Sequence, residues 1–391
     1  MRALTAVLVL AVLASPATAR AACPADVTTE RFTAPGRYGV GVRTLRLVDT
    51  LRRTPPHNGE PGSPERKLTT EVWYPAPSGD VSQPQRDAPL GDGGPFPLVV
   101  MSHGYLDSRL GEAVYTRSLA SRGFVVAAPD FPLSNGGAPG GPTLIDLPNQ
   151  PGDVSFVINT LTLLSRTPGT WLTDGVNRRR IGAAGLSLGG LTTIESVFEP
   201  AQRNGRIRAA AALAPIGCFF TQAYYRAAHR PLLVVQGDED LILPIEQNGA
   251  RVFERSRSPA TFVTLLRGTH TGFSSFITAP SPASYDAALG CPALGDITQQ
   301  GGDAQTFLRL LGEPSIGIDG TGCMLPCLGE APAHPPMVGQ RQHDLTTAAL
   351  NAFFEATFKH SRDARCFLAD GLAAENADVR VETRAGPSPR R

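Results

Sequence analysis

Short apolar runs alternate along this chain with longer segments in which apolar residues recur every three or four positions. Uninterrupted apolar runs bounded by Gly, Pro or Asp are typical of strands buried on both faces, and the longer periodic segments predict amphipathic helices. The predicted strands cover residues 97–101, 124–128, 181–184, 208–215, 231–236 and 260–266. The predicted helices cover residues 110–122, 153–165, where Asp153 is the expected N-cap, and 344–358.

Strands that are separated by helices in this way favour a parallel sheet covered by helices on both faces. Two earlier segments, 44–48 and 67–74, alternate between apolar and polar residues and predict two further strands. Residues 273–342 break the alternation with prolines, glycines and three cysteines, so we expect an irregular insertion there rather than a second domain. We expect the last residues, 379–391, to be poorly ordered. The pattern therefore predicts an α/β fold with a mostly parallel central sheet and a Cys-containing C-terminal insertion.

Composition and charge narrow the class of protein. The chain has 391 residues, 41% hydrophobic and 18% charged, with a formal net charge of +1. This balance is ordinary for a soluble globular enzyme. It gives no electrostatic basis for binding nucleic acid or an anionic membrane surface, and no later stretch is apolar enough to predict stable membrane insertion.

The N-terminus has the features of a secretory signal peptide. A basic start at Arg2 precedes an apolar run over residues 3–13, which is too short for a comfortable membrane span, and small residues surround Ala19 and Ala21. We expect cleavage there, with residues 1–21 removed and residues 22–391 forming one secreted or periplasmic domain. Lipidation of Cys23 is an alternative, which Arg20 disfavours because an apolar residue is expected at that position.

The expected export indicates the oxidation state of the cysteines. Their number is six, and an even number in an oxidising compartment favours disulfides, although the sequence does not choose among the pairings. The spacing of Cys323 and Cys327 also occurs in metal sites, but neither a second cysteine pair nor paired histidines lie near it. We therefore expect disulfides in the C-terminal third and no metal.

One stretch carries a recognisable chemical pattern. Gly185-Leu186-Ser187-Leu188-Gly189 follows the predicted strand at 181–184 and precedes an uninterrupted helical segment. Gly-x-Ser-x-Gly between a strand and a helix is typical of a nucleophile elbow, in which a serine stands at the tip of a strained turn. The flanking glycines are needed because side chains there would collide with neighbouring backbone. The pattern predicts Ser187 as a nucleophile.

A serine hydroxyl needs a base and an acid, which follow the nucleophile in the order acid and then histidine in elbow enzymes. The strand at 231–236 ends in Asp238, Glu239 and Asp240, any of which lies close enough to serve as the acid. The next strand ends at His270, which we predict to be the base. The other histidine between Ser187 and the insertion, His229, precedes a strand and so lies at the wrong end of the sheet.

An oxyanion hole needs two backbone N–H donors. One comes from the residue after the nucleophile, here Leu188, and the other from the loop after an earlier strand. That loop is Ser102-His103-Gly104-Tyr105, which makes the Tyr105 N–H the expected second donor. We interpret His103 as a structural residue that braces the loop.

These motifs together resemble those of secreted α/β-hydrolase-fold serine esterases of the dienelactone-hydrolase-like, chlorophyllase-like and bacterial platelet-activating-factor acetylhydrolase-like group. The resemblance covers about residues 67–275 and departs from true dienelactone hydrolases, whose nucleophile is Cys. It implies a triad of Ser187, Asp240 and His270, because Asp240 has the spacing from Gly237 and Pro244 that the family shows. It also implies Tyr105 and Leu188 as oxyanion donors, with neither a cofactor nor a metal.

The expected function is therefore hydrolysis of carboxylic esters, small or polymeric, through an acyl-enzyme on Ser187. Alternatives with the same triad are a lipase, a polyester depolymerase or a peptidase; a non-catalytic secreted binding protein is an alternative from another class. Several aromatic residues after strand ends either line the substrate pocket or belong to the core: Phe131, Phe219, Phe220, Tyr224, Tyr225 and Phe273.

Overall fold

The structure is a computed structural model that describes residues 23–277, 285–299, 304–324, 326–328 and 334–386. The expected signal peptide lies outside the described residues. Cys23, at the start of the described chain, forms a disulfide with Cys366.

A single ten-stranded sheet organises the molecule. Its order is β10-β9-β8-β7-β6-β4-β5-β2-β1-β3, in which the six strands from β9 to β5 are mutually parallel. The strands β1, β2 and β10 join antiparallel at the two edges. The strand bounds are β1 Gly39–Asp49, β2 Arg66–Ala76, β3 Gln85–Arg86, β4 Phe96–Ser102, β5 Val125–Pro129, β6 Val176–Leu186, β7 Ile207–Leu213, β8 Leu232–Gly237, β9 Ala260–Leu265 and β10 Val379–Arg384.

Helices cover both faces of this sheet and form two apolar cores with it. The α-helices are α1 Thr29–Thr33, α2 Ala113–Ser121, α3 Gln150–Arg166, α4 Leu188–Phe198, α5 Gly249–Arg255, α6 Cys291–Gln299, α7 Ala304–Leu311, α8 Gly339–Phe358, α9 Arg362–Cys366 and α10 Leu372–Glu375. One core packs α1, α2 and α8 on one face, and the other packs α3, α4 and α5 on the opposite face.

The burial of the central strands explains why their sequences are unbroken apolar runs. Successive residues of β4 point to opposite faces, so Val99 and Met101 join the core under α2 and α8, while Leu98 and Val100 join the core under α3 and α4. All four are fully buried. The predicted strands and the predicted cover of helices on both faces are confirmed.

Two expectations are wrong. Asp153 does not cap α3, whose N-cap is Asn149; Asp153 lies in the first turn, fully buried, where it forms a double ion pair with Arg66 that sequence periodicity does not reveal. The expected disorder after residue 378 is also wrong in part, because Val379–Arg384 is the edge strand β10, paired antiparallel with β9.

The segment between β9 and α8 contains α6 and α7; one disulfide ties it to the remainder of the molecule, and a second closes a loop within it. Cys218 pairs with Cys323, and Cys291 pairs with Cys327. The expectation of disulfides in the C-terminal third is thereby confirmed. Within the described part of the chain, no helix is long and apolar enough to cross a membrane.

Candidate active site

Ser187 lies in the tight turn between β6 and α4. Its backbone has φ 57° and ψ −115°, a conformation that non-glycine residues adopt only when surrounding structure enforces it. The enforcement is steric: a Cβ added at Gly185 would overlap the carbonyl of Gly189, and one added at Gly189 would overlap the carbonyl of Ser102. Between Ile181 and Phe198 every residue is buried except Ser187. Ser187 is thus the one partly exposed residue in a stretch that is otherwise buried.

Asp240 and His270 meet in the turns that follow the neighbouring strands β8 and β9. The Nδ1 atom of His270 lies 2.8 Å from Oδ2 of Asp240, and both side chains are buried. Since the carboxylate accepts, Nδ1 carries the proton of this bond and Nε2 is left as the basic nitrogen of the neutral ring. The two turns approach closely because Gly237 has no side chain; a Cβ there would overlap the carbonyl of Gly268.

The three adjacent carboxylates after β8 have different environments. Asp238 is exposed and accepts a hydrogen bond from the Arg267 N–H, and Glu239 contacts His334 at 3.0 Å. Asp240 is buried and is the carboxylate that contacts His270. The geometry therefore favours Asp240, which is also the residue that the family resemblance implies.

Gln236 supports Asp240 and was missed by the sequence analysis. It is fully buried at the end of β8, and its Nε2 atom donates to Oδ2 of Asp240 at 3.0 Å and to the Leu243 carbonyl at 2.6 Å. The Leu243 N–H donates to the other Asp240 oxygen at 2.8 Å. The available signal was a polar amide within an apolar strand, because a buried amide requires hydrogen-bond partners.

Burial and charge act in opposite directions on the pKa values of this pair. Burial raises the pKa of Asp240, and the charge and hydrogen bond of His270 oppose that effect. Burial by itself lowers the pKa of His270, but the charge and hydrogen bond of Asp240, together with the charge of Asp286, outweigh it and raise that pKa above the ordinary histidine value. The arrangement stabilises an imidazolium at position 270, which is what a base needs after it has taken a proton.

The loop after β4 lies against the serine. A Cβ added at Gly104 would lie 3.6 Å from Cβ of Ser187, so the backbone leading to Tyr105 passes beside Ser187. Leu188 is the first residue of α4, and the first N–H groups of a helix have no intrahelical acceptor. Leu106, directly after Tyr105, has a positive φ of 68°, which marks a constrained loop.

His103 braces this loop, as the sequence predicted. Its Nε2 atom accepts a hydrogen bond from the Phe131 N–H at 3.0 Å, and its Nδ1 atom lies 2.7 Å from the Gly104 carbonyl, to which it donates. Burial lowers the pKa of His103, so the ring is neutral and both of its nitrogens are engaged in holding the backbone. It is therefore not available as a base for Ser187.

The aromatic residues that follow strand ends belong to the core. All six are buried, and Phe219, Phe220, Tyr224 and Tyr225 pack against one another with tilted or edge-to-face rings in the core that contains α4. The alternative that these residues line a substrate pocket is not supported. No cluster of three or more metal-ligating side chains is found among the described residues.

Comparison with known proteins agrees with this geometry. Residues 87–279, just under half of the chain, match a family model described as PET hydrolase-like, and this range includes Ser187, Asp240 and His270. The structure is similar to a ferulic acid esterase from Streptomyces cinnamoneus, with a TM-score of 0.58 and 23% identity over 89% of this chain and 98% of the other. No curated protein sequence matches the chain. The chain therefore has an α/β-hydrolase fold and, over residues 87–279, is similar to the PET hydrolase-like family.

Proposed function

We propose that this protein cleaves carboxylic esters through an acyl-enzyme on Ser187, with His270 as general base and acid and Asp240 as its partner. The observation that carries the proposal is the buried Asp240–His270 hydrogen bond of 2.8 Å, formed in the turns after β8 and β9. The strands β8 and β9 lie on the same side of β6 in the sheet, so their carboxyl ends lie at the same edge of the sheet as Ser187. Serine, histidine and aspartate on separate strand ends are typical of hydrolases that work by acyl transfer.

The reaction proceeds in two halves. Nε2 of His270 takes the Ser187 proton while Oγ attacks the ester carbonyl, and the oxyanion accepts hydrogen bonds from the N–H groups of Leu188 and Tyr105. Collapse of this intermediate breaks the bond to the alkoxy oxygen, which receives the proton from His270 and leaves as an alcohol. A water then repeats the sequence on the acyl-enzyme and releases the carboxylic acid. Each oxyanion donor contributes on the order of 3 kcal/mol to transition-state stabilisation.

The substrate class is the second part of the proposal. Exposed apolar side chains occur in segments that follow strand ends or contact the turns of Asp240 and His270: Leu106 and Leu110 after β4, Ile145 after β5, Phe276 after β9, Leu289 in the helical turn Asp286–Gly290, and Leu328 beside Cys327. Isolated exposed apolar residues are ordinary, but several in the segments that follow or contact the strand ends of one site favour contact with an apolar surface. They support an apolar ester as substrate and, as a second candidate function, the hydrolysis of an insoluble polyester.

We also propose that the protein acts outside the cytoplasm. Three disulfides join all six cysteines, and disulfides persist in oxidising compartments such as the periplasm or the extracellular space. Secretion with removal of residues 1–21 is the route that the N-terminal sequence predicts. N-terminal sequencing of the protein from the culture medium and from periplasmic extract tests it; an intact Met1 in the mature protein contradicts it.

Labelling with a fluorophosphonate separates an esterase of this mechanism from a binding protein with the same fold. We expect one phosphonyl group on the peptide that contains Ser187, and none in Ser187→Ala. A panel of p-nitrophenyl esters of increasing chain length, with triglyceride, polyester film and peptide amides beside it, then identifies the substrate class. Cleavage of peptide amides in preference to esters contradicts the proposal.

A further inference from the structure

A second carboxylate, that of Asp286, contacts the backbone of the turns that carry Asp240 and His270. Asp286 is fully buried and belongs to a short helical turn, Asp286–Gly290, that leads into α6. It comes from the segment at 273–342, which the sequence analysis treated as an irregular insertion. Neither the motifs nor the family resemblance pointed to this residue.

Asp286 accepts hydrogen bonds from both of the turns that present the acid and the base. Its Oδ2 atom accepts from the N–H of His270 at 2.9 Å and from the N–H of Leu241, the residue after Asp240, at 3.2 Å. Its Oδ1 atom accepts from the N–H and the hydroxyl of Thr271, at 2.8 Å and 2.7 Å. One side chain therefore joins the backbone next to Asp240 to the backbone of His270.

Hydrogen bonds to an ionised carboxylate are about twice as strong as bonds between neutral groups, and four donors compensate the burial of the charge. The side chains of Asp240 and His270 meet at one hydrogen bond, but their relative position is set by the backbones that carry them. Asp286 contacts both backbones. A change in its position would therefore change the geometry of the pair.

The segment that carries Asp286 packs against the turn that carries Asp240. Gly290 packs against Ile242 and Thr271, and a Cβ added there would overlap Cδ1 of Ile242. The next residue, Cys291, forms a disulfide with Cys327, whose N–H donates to the Ile242 carbonyl at 3.2 Å. Gly290, next to one cysteine, and Cys327, the other cysteine, thus both contact Ile242 in the turn that follows β8. The disulfide joins the two chain segments at this point.

We propose that Asp286 is a positioning residue that holds the turns of Asp240 and His270 in their productive geometry, anchored by the Cys291–Cys327 disulfide. This inference rests on the proposed function of Ser187, Asp240 and His270. It gives the 273–342 segment a role in the ester hydrolysis itself, through the backbone of the base, in addition to any contact with substrate.

The same residue acts on the base through its charge. Asp240 and Asp286 are the charged groups that raise the pKa of His270, one from the turn after β8 and the other from the helical turn before α6. Removing the charge of Asp286 lowers the pKa of His270, because one of the two negative charges that favour the imidazolium is lost. A role limited to folding would not move this pKa in variants that remain folded.

The test compares Asp286→Asn with the wild-type protein and with Asp319→Asn as a matched control. Asp319 lies in the same segment and also accepts a backbone hydrogen bond, from Thr321 at 2.9 Å, but it is not among the contacts of the acid and base turns. For Asp286→Asn we expect kcat to fall by about 10²-fold, the scale of a small misplacement of catalytic groups, with little change in KM. We expect the acid limb of the kcat/KM profile to move to lower pH, while Asp319→Asn matches wild type in both.

Three outcomes decide the matter. A wild-type kcat and pH profile in folded Asp286→Asn overturns the inference. If that variant does not fold, Cys291→Ser combined with Cys327→Ser loosens the anchor and leaves the carboxylate in place; a fall in kcat supports the inference and an unchanged kcat overturns it. Ser187→Ala, measured beside them, separates the two levels: activity retained there contradicts the proposed function, whereas an inactive Ser187→Ala with a fully active Asp286→Asn contradicts the Asp286 inference alone.

Discussion

The serine and the acid–base pair are built in different ways, although they face the same reaction. The turn at Ser187 is specified within five residues, because Gly185 and Gly189 permit backbone contacts that force the serine into its strained conformation. The turns of Asp240 and His270 depend in addition on a distant residue, since the Asp286 side chain accepts hydrogen bonds from both turns, whereas the nearby Gln236 binds only the turn of Asp240. Local sequence therefore determines the conformation of Ser187, and a long-range contact helps to determine the position of His270.

This difference predicts how each half fails. A change at the serine turn should act at one point and leave the remainder of the site intact. A substitution among the residues that hold Asp240 and His270 should disturb hydrogen bonds between several segments. Its effect on turnover should depend on how directly the substituted residue contacts His270.

The largest expected effect is that of removing the acid. Asp240→Asn should lower ester turnover by roughly 10⁴-fold, the scale seen in serine proteases, because the amide no longer fixes the imidazole tautomer. Asp238→Asn is the matched control, since Asp238 is exposed and bonded to the Arg267 N–H instead. Steady-state kinetics on a p-nitrophenyl ester compares them. A crippled Asp238→Asn with a near-normal Asp240→Asn contradicts the assignment of the acid.

Gly189→Ala tests the turn of Ser187, the part of the site whose conformation the local sequence determines. The added methyl group overlaps the Ser102 carbonyl, so α4 must shift relative to β4, at a cost of about 1–3 kcal/mol in the free energy of unfolding. We expect turnover to fall by about 10²-fold because Ser187 and the Leu188 N–H move with the helix. Chemical denaturation and kinetics measure the two effects. Gly295→Ala is the control, because a Cβ at Gly295 meets no atom within 4 Å.

Gln236→Met should have a smaller effect. It removes the donor to Asp240 but leaves the Asp240–His270 bond in place, so we expect turnover to fall on the order of 10-fold. Burial of the unpaired Gly249 N–H and Leu243 carbonyl should lower the free energy of unfolding by about 1–3 kcal/mol. Thermal unfolding and kinetics provide the measurements. A variant with wild-type stability and turnover would show that Gln236 does not support the acid.

The smallest effect is a displacement of the pH profile. The general base must be neutral to take the Ser187 proton, and the pKa of His270 is raised above the ordinary histidine value by Asp240 and Asp286. Activity should therefore fall as the pH decreases through that raised pKa, so the acid limb of kcat/KM lies above the pH at which an unperturbed histidine titrates. A limb at or below the ordinary value contradicts the charge environment described here.

The sequence predicted the features that depend on short-range pattern. The strands of the central sheet, the serine turn and the bracing role of His103 all follow from periodicity, glycine spacing and motif order. The edge strand β10 was missed because Val379 and Val381 form only a short alternation near the chain end, and its pairing with β9 is a tertiary contact. Nothing local distinguishes such an edge strand from a disordered terminus.

The supports of the acid–base pair were missed for a related reason. Asp286 follows His270 by sixteen residues and contacts its backbone, which has no sequence signature. The partners of the cysteines were open for the same reason, because the pairs Cys218–Cys323 and Cys23–Cys366 join residues 105 and 343 positions apart. Such contacts depend on how the 273–342 segment and the termini pack, which periodicity does not determine.

The central claim is that hydrolysis passes through an acyl-enzyme on Ser187. Rapid mixing of the protein with a p-nitrophenyl ester, followed by acid quenching and mass spectrometry of the digested chain, tests it most directly. We predict a burst of p-nitrophenol approaching one equivalent when deacylation limits turnover, and one acyl group on the peptide that contains Ser187, absent in Ser187→Ala. Acylation of another residue, or hydrolysis that continues at the wild-type rate in Ser187→Ala, would contradict the account.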